Sequence, residues 1–334
     1  MGGKAIKNSI RFEGYKYEMI YSQIYNKLRD AGFKNRLSLT KCYREKESHG
    51  DMDIIVCDEG NRNIAPEIID VFFENSRFAR SGNVHINGPC TSIRYEGHQV
   101  DFIITSPEDY DMTVAYYAWN DLSLLIGKIA QYAGFKYGSN GLRIKKVDSD
   151  GHVLVNHTIT KDPMKALDFL GYDTERFIEG FDTLDDIYEY ALSTPLACVN
   201  ALLPESSNGR QRKRDSSRVN YNIFLDKLKN TDEFYDLIES YPRLEWEDRL
   251  SAIGDYFGFD KVDEIKSILK QKIVDAKMSK EIKEKFNGKI VMDELGLTGK
   301  DLGIFMSDFN SKFDTLADKH KYVMNNDLDT LLKN

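Results

Sequence analysis

Glu47-Ser48-His49-Gly50-Asp51-Met52-Asp53-Ile54-Ile55-Val56 sets two aspartates two residues apart, after a glycine and before an apolar run. A strand alternates its faces, so Asp51 and Asp53 point the same way. Further along, Gln99-Val100-Asp101-Phe102-Ile103-Ile104 is another strand-like run carrying one acid. A neighbouring strand could bring Asp101 beside the pair. Three carboxylates in one place repel unless divalent cations hold them. Two metals side by side are one way proteins stabilise in-line attack on a phosphoryl group. The pattern therefore predicts nucleotidyl transfer.

The spacing alone is weak, because Asp109/Asp111, Asp148/Asp150 and Asp327/Asp329 repeat it. Asp148/Asp150 runs into Gly151 and reads as a hairpin turn. Asp327/Asp329 lies in a polar stretch and reads as solvated surface. Asp51/Asp53 differs in context: a glycine turn, a buried strand, and a third acid on another strand.

Tyr43-Arg44-Glu45-Lys46-Glu47-Ser48-His49-Gly50-Asp51-Met52-Asp53 resembles the palm motif of DNA polymerase beta-like nucleotidyltransferases. Asn87-Gly88-Pro89-Cys90 through Gln99-Val100-Asp101-Phe102 resembles the hairpin that delivers their third aspartate. Tyr116-Tyr117-Ala118-Trp119-Asn120-Asp121, with Gly134-Phe135-Lys136-Tyr137 after it, is similar to the family's next helix and its Tyr-Phe-Thr-Gly-Ser-like entry. The resemblance spans residues 15 to 172. It implies that Asp51 and Asp53 bridge two Mg²⁺ ions, with Mn²⁺ as an alternative. It also implies that Asp101 binds the catalytic ion and helps activate a 3′ hydroxyl. The family carries Gly-Ser before the first aspartate to grip the triphosphate; here Thr40-Lys41 or Lys41-Cys42 stands there. Lys41 and Arg44 are the candidates to meet the nucleotide's phosphates instead, as charges rather than paired backbone donors. Tyr116 and Tyr117 are candidates to stack on its base or screen its 2′ position, and equally read as core aromatics. The family's lyase domain, which precedes the palm, finds no room before residue 15, so a base-excision role is not implied.

At 334 residues the chain fits two or three domains. A hydrophobic content of 41% is ample for a core, and no run has the length of a transmembrane helix. The start, Met1 to Lys7, lacks the apolar stretch of a secretory signal. Gly2 invites a myristoylation reading, but Ile6 stands where serine or threonine is usual. Cys42, Cys57, Cys90 and Cys198 are scattered with no C-x-x-C, against structural zinc and a disulfide framework. These features predict a protein of the reducing cytoplasm, with no membrane partner. The net charge of −8 speaks against a general nucleic-acid binder, so any such partner needs a local positive track.

Ile20, Ile24, Leu28 and Ala31 predict an amphipathic helix closed by Gly32. Strands are expected at Leu37 to Tyr43, Met52 to Cys57, Thr91 to Tyr95 and His98 to Thr105. A second hairpin is expected at Leu142 to Val147 and Val153 to Thr160. Helices are expected at Pro66 to Phe73, Leu122 to Tyr132, Asp162 to Leu170, Ile178 to Leu192 and Val219 to Leu228, then from Glu233 onward. The predicted fold class is α+β: a polymerase beta-like palm with a mixed sheet, followed by an all-helical C-terminal domain. The expected divisions are 1–172, a helical connection with a basic loop at 173–218, and 219–334.

That loop, Pro204 to Arg218, combines Ser, Asn and Gly with Arg210, Arg212, Lys213, Arg214 and Arg218. It reads as a flexible phosphate-tracking loop for nucleic acid or as a solvated linker. Phe286 to Gly303 resembles the motif closing the helical domain of CCA-adding enzymes and bacterial poly(A) polymerases. It also reads as a phosphate-gripping helix-hairpin-helix turn or a packed helical corner. His49, beside the aspartates, reads as a contact to a phosphate or, more commonly for a turn histidine, as simply exposed, and the other histidines show no ligand spacing. The expected partners are a nucleoside triphosphate and a DNA or RNA 3′ end. Template-independent RNA or tRNA end addition, and nucleotidylation of a protein or small molecule, stand as alternatives. So does a non-catalytic module that kept a dead palm.

Overall fold

A computed structural model describes residues 5–60, 64–73, 82–230 and 243–333. Gly2 and the first part of the helical run expected from Glu233 lie outside them. The chain divides into two compact units, residues 1–145 with 157–251 and residues 146–156 with 252–334.

The first unit is built on a five-stranded mixed sheet of order β2-β4-β7-β6-β5. Its strands are β2 (Leu37–Leu39), β4 (Met52–Cys57), β5 (Val84–Asn87), β6 (Cys90–Tyr95) and β7 (His98–Thr105). β1 (Phe12–Glu13) and β3 (Ser48–His49) pair separately. β4 and β7 run parallel at the centre, and the remaining pairings are antiparallel. The β6–β7 hairpin turns at Glu96-Gly97, both with positive φ, where glycine carries no steric cost.

Strand alternation sorts the central side chains. Met52, Ile54, Val56, Ile93, Val100 and Phe102 enter one core with helix α1 (Gly14–Asp30) and helix α2 (Ala65–Phe72). Ile55, Cys57 and Ile103 pack on the other face against Tyr110 and Val114 of helix α3 (Tyr110–Tyr117). Asp53 and Asp101 share this second face by their period-two spacing. α1 presents Tyr17, Ile20, Ile24 and Leu28 to the core, as its spacing predicts. Gly14 opens α1 in close approach: a Cβ there would stand 2.8 Å from the Lys46 carbonyl oxygen. Its N–H donates to the Glu47 carbonyl at 2.7 Å. The start of α1 thus pins the loop that leads into Asp51.

Helix α4 (Leu122–Tyr132) is followed by β8 (Phe135–Gly138), β9 (Gly141–Val147) and β10 (Val153–Thr160), in sheet order β10-β9-β8. Helix α5 (Pro163–Phe169) comes next. The single helix expected at Ile178 to Leu192 is instead two, α6 (Thr174–Glu179) and α7 (Leu184–Leu192). The break is Gly180, with φ 89°, where a Cβ would collide with Trp119 at 2.2 Å.

The flexible loop expected at Pro204 to Arg218 is also corrected. Helix α8 (Val199–Leu202) is followed by a 3₁₀ turn (Pro204–Ser206) and helix α9 (Gly209–Asp215). Asn208 and Gln211 cap α9 reciprocally, each side chain meeting the other's backbone N–H. Asp215 is buried and pairs with Lys128 of α4 at 2.9 Å. Lys128 also donates to the Ser207 hydroxyl at 2.8 Å. A buried charge pair anchors this basic segment. Helix α10 (Val219–Lys229) follows.

In the second unit, a core of Ile282, Phe286, Val291, Phe309, Val323 and Leu331 is fed by helices alone. Asn287 caps the helix Gly288–Leu295, which ends at left-handed Gly296, and the helix Gly299–Asn310 starts after Thr298. Phe286 to Gly303 is therefore a helical corner punctuated by a glycine C-cap. Among the described residues, no helix is long and apolar enough to cross a membrane.

Candidate metal centre

Asp53 and Asp101 stand directly opposite each other in the parallel β4–β7 register. Asp51 lies two residues before Asp53, at the mouth of β4. Carboxylate oxygens of the three all lie within 4.8 Å of one another. The sequence-predicted trio is thus brought together by one register and one strand period.

The cluster carries unbalanced like charge. Burial, then Asp51 and Asp101, push the Asp53 carboxyl well above the usual range, while Lys46 pulls it back. Burial pushes Asp101 up to about 6, with Asp51 adding to the rise and Ser92 and Gln99 opposing it through hydrogen bonds. Gln99 Nε2 donates to both Asp101 oxygens at 3.0 Å. The Ile6 N–H donates to Gln99 Oε1 at 2.9 Å and so turns the amine side toward the acid. Burial, then Asp101, drive the Cys90 thiol up to about 12.

Asp51 and Asp53 open into a cleft of about 970 Å³. Lys41, Lys46, Tyr116, Tyr117, Arg214 and Arg218 are among its lining residues. Tyr117 is partly exposed, and burial followed by Asp53 lifts its phenol to about 12. Tyr116 meets Tyr117 edge-on at 5.5 Å between centroids. Lys46 is half-buried, and burial lowers its pKa despite the attraction of Asp51 and Asp53. Sequence reasoning passed over Lys46, whose loop position shows no periodicity. It also passed over Gln99, whose two-residue spacing from Asp101 on a strand was a usable signal.

Of the predicted contact residues, Arg44, Arg210, Arg212 and Lys213 do not line the cleft. Arg44 pairs with Asp182 at 2.5 Å and donates to the Glu179 carbonyl. Its own backbone N–H donates to the Phe181 carbonyl at 3.0 Å. Lys41 is exposed, its ammonium 5.4 Å from the Trp119 ring centre. Trp119 has φ 62° and donates from its backbone to the Lys41 carbonyl and from its indole to the Phe177 carbonyl. The loop at Lys41–Glu45 is therefore strapped to the α6–α7 turn. Arg212 donates to the Ser207 carbonyl at 2.5 Å, and Arg218 pairs with Asp121. Arg210 and Lys213 are exposed.

His49 corrects its expectation of exposure. It is buried, stacked on Tyr17 at 3.8 Å between centroids, and burial pushes it down to about 4. Asp148, Asp150 and His152 form a second group able to hold a cation. This group lies in the hairpin turn expected there. Asp148 Oδ1 accepts from the Asp150 and His152 N–H groups at 2.9 and 2.8 Å, which gives it a local structural role. Asp327 caps the helix Leu328–Leu332.

The Asp51/Asp53/Asp101 donor set fits a hard divalent cation. All its ligands are carboxylate oxygens, and no soft donor stands among them. A bound cation would offset the burial, and after it the mutual repulsion, that raise the Asp53 and Asp101 carboxyls. No protein-family model matches this chain, and no curated protein matches it in sequence.

Proposed function

We propose that this chain is a metal-dependent nucleotidyltransferase with a polymerase beta-like palm. It would transfer a nucleoside monophosphate from a nucleoside triphosphate to the 3′ hydroxyl of a nucleic acid, releasing pyrophosphate. The observation that carries this reading is the convergence of Asp51, Asp53 and Asp101 on adjacent parallel strands beside a roomy cleft. Asp51 and Asp53 would hold two Mg²⁺ ions jointly, and Asp101 one of them; Mn²⁺ has the same oxygen preference. The chemistry supplied by ions held there would be neutralisation of phosphoryl charge and acidification of the attacking hydroxyl.

The chain's own residues do the rest. Gln99 fixes the Asp101 carboxylate so that it meets its ligand in one orientation. Tyr116 and Tyr117 offer aromatic surface to a base. Lys46 brings positive charge beside the acids, where triphosphate oxygens would collect. Absence of the Gly-Ser pair and the engagement of Arg44 by Asp182 favour a second reading, nucleotidylation of a protein or small molecule. All four deoxynucleotides and all four ribonucleotides, offered separately to primed DNA and to unpaired RNA, separate the cases. Template-directed deoxynucleotide incorporation supports a DNA polymerase-like enzyme. Ribonucleotide tailing of unpaired RNA moves it to RNA end addition. Incorporation into neither moves the acceptor off nucleic acid.

A further inference from the structure

The basic segment at Gly209 to Arg218 is sorted by its helix into two faces. Positions 210, 213 and 214 are three and four residues apart and share one side. Arg212 and Asp215 belong to the other side. Arg212 bonds the Ser207 carbonyl, and Asp215 is sunk against Lys128. Arg212 is itself exposed, so the buried anchor is Asp215, and together these two contacts fix the rotation of the helix. Arg210 and Lys213 are then left exposed, and Arg214 with Ser217 reaches the cleft that holds Asp51 and Asp53. Arg214 is 61% exposed, so its contact with Asp215 at 3.7 Å leaves the guanidinium open to a ligand. Arg218 is spent on Asp121.

We propose that Arg210, Lys213 and Arg214 form a ridge that guides a single-stranded nucleic acid into the cleft, with Tyr116 and Tyr117 stacking on its end. This rests on the nucleotidyltransferase reading and narrows its acceptor. A helix of this length spans about 10 Å, enough for a few phosphates of one strand and too short to grip both strands of a duplex. A positive track beside exposed aromatic surface is the arrangement that holds unpaired bases, because every base has a stacking face. Arg212, bonded to the Ser207 carbonyl, and Arg218, which lines the cleft but is paired with Asp121, are left out of the track.

The test is fluorescence anisotropy of labelled single-stranded DNA, single-stranded RNA and duplex DNA against the full chain, titrated with salt. R210A/K213A/R214A should weaken single-strand binding. It should make the slope of log K against log salt shallower by about 2, since each phosphate contact on a single strand contributes about 0.7. R212A should leave the slope unchanged. K213E, one exposed substitution, gives the same direction should the triple variant not fold. Comparable loss on DNA and RNA assigns the ridge to the backbone; loss on one alone assigns it to that sugar. Tighter binding of duplex than of single strands, or an unchanged slope in the ridge variants, would overturn the proposal. Mn²⁺ binding by the same preparations keeps the two claims apart. Retained Mn²⁺ binding with an unmoved slope sinks the ridge alone, whereas wild-type protein that binds no Mn²⁺ sinks the metal centre.

Discussion

Replacing Asp101 with asparagine should stabilise the protein when metal is absent and deprive it of stabilisation when metal is present. Asp101 is lifted from 3.8 to about 6, chiefly by burial. A carboxyl so moved costs the folded state about 3 kcal/mol at neutral pH, at about 1.4 kcal/mol per pH unit. Asparagine carries no charge to desolvate and can still accept from Gln99. For a unit of this size, that corresponds to a melting temperature higher by roughly 6–12 °C in EDTA at pH 7.5. The sign follows from linkage. A folded pKa above the unfolded one means that Asp101's contribution is most favourable below pH 3.8 and is lost as pH rises through about 6. The advantage of the variant should therefore shrink as pH falls through 6 and vanish below about 4. Mn²⁺ at a thousand times its Kd reverses the order, because it adds about 4.1 kcal/mol to a site that can bind it. Thermal melts of both proteins across pH, with EDTA and with Mn²⁺, provide the check. A variant less stable than wild type in EDTA at pH 7.5, or a gap that persists below pH 4, would refute the electrostatic account.

Three further outcomes follow from the scaffold. Lys128→Met strands Asp215 as a buried uncompensated charge and should cost about 3–5 kcal/mol in urea unfolding, while Lys128→Met with Asp215→Leu should recover much of it. Gly180→Ala forces a Cβ into the Trp119 ring at positive φ, so it should destabilise by about 2–4 kcal/mol and loosen the strap at Lys41–Glu45, read as faster amide exchange there. His49, depressed from 6.5 to about 4, contributes stability that is present above pH 6.5 and lost as pH falls through about 4; an NMR titration finding a midpoint near 6.5 would contradict its burial.

The clustering of the three aspartates was legible in the sequence because a strand's period is fixed. Asp51 and Asp53 had to share a face, and the Glu96-Gly97 turn had to fold β6 back on β7. The parallel pairing of β4 with β7, which sets Asp53 opposite Asp101, is a long-range choice that no local pattern encodes. The basic segment reads as a loop and folds as a helix for a similar reason. Asn208 and Gln211 carry the signature of a helix start, but its composition resembles a loop. Its anchor, Lys128, lies on a distant helix. Gly180 falls inside the single helix expected at Ile178 to Leu192, because the Trp119 ring that occupies its side-chain space comes from elsewhere in the chain. Lys46, Arg44 and Lys41 sit in irregular backbone, where sequence gives charge but not direction.

The central claim is that Asp51, Asp53 and Asp101 drive nucleotidyl transfer. Its most direct measurement is transfer of label from α-labelled nucleoside triphosphates, with Mg²⁺ or Mn²⁺, by wild type and Asp53→Asn. Wild type should join label to a nucleic-acid acceptor with matching pyrophosphate release. Asp53→Asn should be folded but nearly inactive, since losing one ligand removes several kcal/mol of transition-state stabilisation. Equal turnover by the two proteins, or no transfer by wild type to nucleic acid, protein or small-molecule hydroxyls with either metal, would contradict it.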